Sequence, residues 1–133
     1  MIEISNERII EALAAESAAE CFYARRPGDE GKRPPLVSAS RLPLLRRHIS
    51  YACVRLADRL SAWSDTAVYD GSALRVSLKS EHAAREAAVS TEIEEYLAAD
   101  LWTQVAAGEF PEAAQRAAAR RDAAIDHLLA SLV

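Results

Sequence analysis

The chain is short of the residues that build reaction centres, disulfide frameworks and membrane spans. Among its 133 residues are two cysteines, three histidines, four glycines and one methionine. Cys21 and Cys53 stand far apart, with no CxxC spacing, and read as ordinary buried thiols of a reducing compartment. No stretch approaches the roughly 18 apolar residues of a bilayer span. Met-Ile-Glu-Ile at the start lacks the basic-then-apolar pattern of a secretion signal. We therefore expect no membrane contact and a protein that works in the cytoplasm or is assembled inside a cell.

Phosphate-cradling and nucleophile motifs are missing too: there is no GxGxxG, no GxxxxGK[ST], no GxSxG and no HExxH. His82 and Glu86, four apart, could share a helical face, but His48 and His127 are remote in sequence and a metal needs three or four converging ligands. Glu92, Glu94, Glu95 and Asp100 form an acidic cluster. The first three are expected in the opening turn of a helix, where carboxylates offset the helix dipole. Asp122 and Asp126 are expected in solvent. No catalytic, cofactor-binding or metal-ligating residue is assigned, and the expectation is a protein that is not an enzyme.

What is abundant is alanine, which supplies 28 of the residues in the hydrophobic half of the composition. Alanine favours helix more than any other residue while burying little area. With only five prolines, few breaks are available. The expected fold is mainly all-α: a single domain over residues 1–133, built as a bundle of about four helices. Ser5 or Asn6 caps the first, whose apolar stripe runs through Ile9, Ile10, Leu13, Ser17, Cys21 and Phe22 until Pro27-Gly28 stops it. Residues 27–35 are polar and proline-bounded, an exposed loop. Ser38 or Ser40 caps the second helix, with Pro43 in its first turn. Its stripe of Leu42, Leu45, Ile49, Ala52, Leu56, Leu60 and Trp63 steps by three or four.

The period then changes to two. Asp70-Gly71 is a hairpin signal, and Leu74, Val76 and Leu78 alternate with polar residues, so a small β-hairpin is expected over about 66–79. Thr91-Glu92-Ile93-Glu94 has capping-box spacing, placing the start of a third helix there and leaving 83–89 undecided. Ile93, Leu97, Leu101 and Val105 form its stripe, and Tyr96 and Trp102 read as core. Gly108 suits its end and Pro111 the start of a fourth helix, which turns Ala114, Ala117, Ala118, Ile125, Leu128 and Leu132 inward.

Charge is unevenly placed. Between Arg25 and Arg47 lie seven basic residues against two acidic ones, a surplus of five that leaves −9 for the remainder of a chain whose net charge is −4. Arg25, Arg26, Arg33, Arg41, Arg46 and Arg47 are the candidate partner contacts. A basic stretch can grip phosphates, yet no aromatics are interleaved from Pro27 to Arg47 and the pI is about 5.4.

The order of elements resembles that of small structural proteins from phages and prophages of Bacteroidales-type bacteria. The likeness rests on the strand Leu74 to Leu78, on Ile93-x-x-Tyr96-Leu97-x-x-x-Leu101-Trp102, and on the alanine-rich run from Glu112-Ala113-Ala114 through Ala124-Ile125-Asp126-x-Leu128-Leu129-x-x-Leu132. The Leu42 to Leu60 helix fits the same layout, and the likeness covers about Leu36 to Leu132. It implies a virion structural or head–tail joining protein that self-associates or docks on a virion neighbour, and it brings no catalytic residues. The competing expectation, from the residues alone, is a small regulatory or nucleic-acid-binding module that uses the stretch 25–47.

Overall fold

A computed structural model describes residues 1–23, 42–107 and 110–133, with the side chains of 17–23 and 42 left aside. The expected loop at 27–35, the caps Ser38 and Ser40, and Gly108 lie outside the described residues. The protein is mostly helical, with four helices and a small antiparallel sheet. Strand β1 (Ile2–Ser5) leads into α1 (Asn6–Tyr23), and α2 (Leu42–Leu60) ends in a turn of 3-10 helix over Ser61–Trp63. Strands β2 (Ser64–Tyr69) and β3 (Ala73–Leu78) follow. A second 3-10 segment (Ser80–Arg85) then leads into α3 (Glu86–Ala106) and α4 (Pro111–Leu132).

The expected hairpin is present, but it is two-thirds of a sheet. The N-terminal Ile2–Ser5 pairs antiparallel with β3 on the side away from β2, giving the order β1-β3-β2. The register explains the alternation: Ile2 faces Val76 and Ile4 faces Leu74, all four buried, while Glu3 lies beside Arg75 on the outer face. Four residues are too few for a period-two pattern to stand out, and this strand forms only because a partner strand lies some 70 positions away.

The hairpin tip is shifted one residue from the expected Asp70-Gly71. Gly71 and Ser72 occupy it, with Gly71 at φ +97, and the Asp70 N–H donates to the Ala73 carbonyl at 3.3 Å. Asp70 Oδ1 accepts from the Ser72 N–H and hydroxyl and from the Ala73 N–H, at 2.8–2.9 Å. Asp70 thus ties the turn with its carboxylate instead of adopting positive φ itself. Asn6 locks the tip to α1: its backbone N–H donates to the Ser72 carbonyl at 2.9 Å, its side-chain amide to the Gly71 carbonyl at 3.0 Å, and its Oδ1 accepts from the Tyr69 hydroxyl at 2.8 Å. Ser5 caps α1 as expected, its hydroxyl accepting from the Arg8 N–H.

The start of α3 differs as well. Helix begins at Glu86, so Thr91 lies inside it and its hydroxyl donates back to the Ala87 carbonyl at 3.3 Å. The capping-box spacing is a coincidence of composition, and Glu92, Glu94 and Glu95 lie beyond the first turn. Downstream, every residue from Tyr96 to Trp102 is buried. A helix buried all round must be surrounded, and α3 packs against α1, α2, β1 and above all α4. The inner face of α4 is small at its start (Ala113, Ala114, Ala117) and aliphatic at its end (Ile125, Leu128, Leu132). Ala118, expected inward, is only partly buried.

Replacing Ile4 by Ala is expected to cost about 2–5 kcal/mol in urea unfolding. Glu3→Ala, on the outer face of the same strand, should stay within about 0.5 kcal/mol. Equal, small effects from both would remove β1 from the folded sheet.

Candidate interaction surface

Of the six arginines singled out above, Arg25, Arg26, Arg33 and Arg41 lie outside the described residues. Arg46 and Arg47 are exposed on α2. Helical geometry dictates where: Leu45, Ile49, Ala52, Cys53, Leu56 and Leu60 occupy the inner face and are buried, which turns the positions between them outward. Among those are Leu44, Tyr51 and Val54, exposed by 57%, 66% and 55%. They are separated by seven and three residues and so share one stripe. At 1.5 Å per residue the stripe runs about 15 Å along the axis. Arg55 borders it on one side, Arg47 lies within its arc, and the Arg55 guanidinium lies over the Tyr51 ring, 4.9 Å from its centre. α2 is therefore apolar on two faces. The sequence carried this signal, but the stronger inner stripe masks it.

Behind α2 lies the other feature that reading the sequence missed. Asp100, within the acidic cluster named above, is 3% exposed on α3. Arg55 of α2 and Arg121 of α4 approach its two carboxylate oxygens, each at 3.5 Å, and the Gln104 amide donates to Oδ2 at 3.2 Å. A buried carboxylate costs several kcal/mol unless it is paired, and here two partly exposed guanidinium groups reach in from opposite neighbours. Partial burial works to lower the Arg121 pKa, but the Asp122 hydrogen bond and charge, with Asp100 behind them, outweigh it and raise the value. Nearby Tyr96 is raised, first by burial and then by the Asp100 charge. The signal for this residue was an acid set between apolar neighbours on both sides, Leu97-Ala-Ala and Leu101-Trp102.

The remaining charged side chains mostly join helices pairwise. Glu94 pairs with Arg8 of α1, Glu16 with Arg120 of α4, and Glu86 with the N-terminal amine at 2.6 Å. Glu92 Oε1 lies 2.9 Å from His127 Nδ1 and accepts from the Ser131 hydroxyl at 3.4 Å. That trio has the residue types of a nucleophilic site but a different wiring: Ser131 bonds the carboxylate and the His127 carbonyl, not the imidazole. Asp122 and Asp126 are exposed, as expected. Trp102 is buried, stacked on Phe110 at 6.5 Å, and its indole N–H has no hydrogen-bond partner among the described residues. Among the described residues no group of three His, Cys, Asp or Glu could hold a metal ion, and no helix is long and apolar enough to cross a membrane. No family model, curated protein or solved structure matches the chain.

Removing Arg55 or Arg121 alone leaves Asp100 one guanidinium, so each Ala variant is expected to lose about 1 kcal/mol. The double variant strands the carboxylate and should lose about 3–5 kcal/mol, more than the two singles combined. Additive losses in denaturant titrations would mean that the pairs act independently. Cys53, on the inner face of α2, supplies a pH test: burial pushes its thiol from the ordinary 9.0 to about 12. The folded state therefore holds this proton more tightly, so the contribution of Cys53 to stability is fully present below pH 9 and is lost as pH rises from 9 through about 12. Cys53→Ala should flatten that alkaline slope, with a remainder of the same sign from Tyr69 and Tyr96, both also raised by burial. An unchanged slope would place the thiol in solvent.

Proposed function

We propose that the protein is a non-catalytic structural or assembly protein that acts through protein–protein contacts, with the outer face of α2 as its main contact surface. The observation that carries this reading is the outward stripe of Leu44, Tyr51 and Val54 on a helix whose opposite face is already spent on the core. Large apolar side chains that gather on one exposed stripe mark interaction sites, whereas scattered ones need no explanation. Tyrosine and arginine, which border each other here, are the residues most enriched in contact hot spots. The edge strands β1 and β2 offer a second, smaller place for a neighbouring chain to add a strand. A phage or prophage setting, as a head–tail joining or related virion component, follows from the resemblance in element order. It belongs to the same proposal.

The exposed Arg46, Arg47 and Arg59 favour a second reading, a nucleic-acid-binding module. Against it, the stripe between the arginines is apolar, and phosphate contacts gain nothing from Leu44 or Val54.

A photo-cross-linking residue at position 51, introduced in the native host, tests both readings. The expected product joins the chain to a second protein chain, either another copy or a capsid, portal or tail component, while a probe at Ala123 on α4 gives none. Cross-links to nucleic acid, together with salt-sensitive DNA binding lost in Arg46→Ala/Arg47→Ala, would replace this reading by the second.

A further inference from the structure

We propose that the outer face of α2 is the interface of a two-fold dimer, in which α2 of a second copy of this chain lies antiparallel against it. The inference rests on the protein-contact reading above and names the partner. Leu44, Arg47, Tyr51, Val54, Asp58 and Ser61 follow one another in steps of three and four, and all six are exposed. At 100° per residue the first five fall within an arc of about 80°. Positions spaced in this way form the seam when two helices pack side by side. The residues of α2 that are buried in the core occupy the opposite side, so the seam is clear of the chain's own packing. Among the described residues neither Arg47 nor Asp58 makes an ion pair. Arg55, which borders the seam, already shares its charge with Asp100.

The seam is its own complement. About the midpoint between Ala52 and Cys53, Arg47 and Asp58 are equidistant, as are Tyr51 and Val54, and Leu44 and Ser61. An antiparallel copy centred there sets Arg47 against Asp58 and Tyr51 against Val54, each twice by symmetry, with Leu44 over Ser61 at the helix end. Apolar side chains fill the middle, and an opposite-charge pair closes each end of it, about 16 Å apart along the axis. Other arrangements lose this match. A parallel pair sets Arg47 on Arg47 and Asp58 on Asp58, and like charges placed together suppress pairing. Sliding the antiparallel copy by seven residues carries Asp58 past the end of the partner helix in one direction and sets it on Val54 in the other. A two-fold interface requires one patch to match itself, whereas a face shaped for a different protein carries no such requirement. One helix face per chain lies at the small end of specific interfaces, so the association is weak, between about 1 µM and 1 mM.

The test is sedimentation equilibrium of the full-length protein across that range of concentration. The unaltered chain is expected to pass from the 14.5 kDa monomer to twice that mass. Arg47→Glu and Asp58→Arg each turn two opposite-charge pairs into two like-charge pairs, and each is expected to weaken self-association about tenfold or more. An equimolar mixture of the two variants restores it, because one then brings two acids to the seam and the other two arginines. The chain that carries both reversals regains it as well. Both residues are exposed, and recovery in the mixture shows that both variants fold. A monomer at every concentration, a dimer indifferent to either reversal, or a mixture that associates no better than its components overturns the proposal. If self-association is absent while position 51 still cross-links to a different protein, the two-fold dimer falls and the protein-contact reading stands. If position 51 cross-links to no protein either, both fall.

Discussion

Complete burial of the middle of α3 sets the terms for the rest of the molecule. From Tyr96 to Trp102 no residue is more than 9% exposed, so the other elements must close around this stretch on every side. That requirement is severe because Asp100 sits inside it. A carboxylate shut away from water is tolerated only when counter-charges and donors reach it. They come from two different helices, Arg55 from α2 and Arg121 from α4. Apolar packing alone would let α2 and α4 slide along α3 with modest loss. The carboxylate removes that freedom, because only one axial setting brings both guanidinium groups within reach. Ala113, Ala114 and Ala117 then present only small side chains to the core at the start of α4.

A second constraint acts from the N-terminus. β1 is short and could not persist alone, yet it completes the sheet on the free side of β3 and carries Ile2 and Ile4 into the core. Asn6, the first residue after it, binds the hairpin tip through both its backbone and its side chain. The beginning of the chain is thereby fixed to its middle before α1 starts. The amine of Met1 reaches Glu86 at the head of α3, so the two anchors bracket the strand.

How much of this was legible depends on how local each signal is. Helices α2 and α4 could be placed because proline position and a stripe at 3.6-residue period sit within the segment, as with Pro111 at the first position of α4. The hairpin was legible for the same reason. β1 was not, because its pairing partner is distant and four residues carry too little periodicity. Thr91 misled because a cap and a mid-helix threonine have the same composition around them, and only the preceding 3-10 segment, with helix from Glu86, separates the two. Asp100 entered only as a member of an acidic cluster, because its arginine partners lie 45 positions upstream and 21 downstream. The contact surface was half legible: Arg46 and Arg47 were singled out by charge, whereas Leu44, Tyr51 and Val54 emerge as a stripe only once the inner face of α2 is known.

That division bears on where a partner can bind with any strength. The outward face of α4 is built largely from alanine and charged or polar residues, such as Ala119, Ala123, Asp122 and Asp126, and that of α3 from Ala87, Ala88, Thr91 and Glu95. Covering alanine removes little apolar area from water, and surface ion pairs contribute at most about 1 kcal/mol each. On the outer side of the sheet, Val68 stands in a row with Arg75 and Glu3, whose charges already satisfy each other. α2 alone among the described helices combines a large aromatic, two aliphatics and guanidinium groups on one outward face. The same helix supplies Arg55 to the buried carboxylate while its guanidinium lies over Tyr51, so drawing Arg55 away from Asp100 would weaken the core and this side chain ties the outward stripe to the packing behind it.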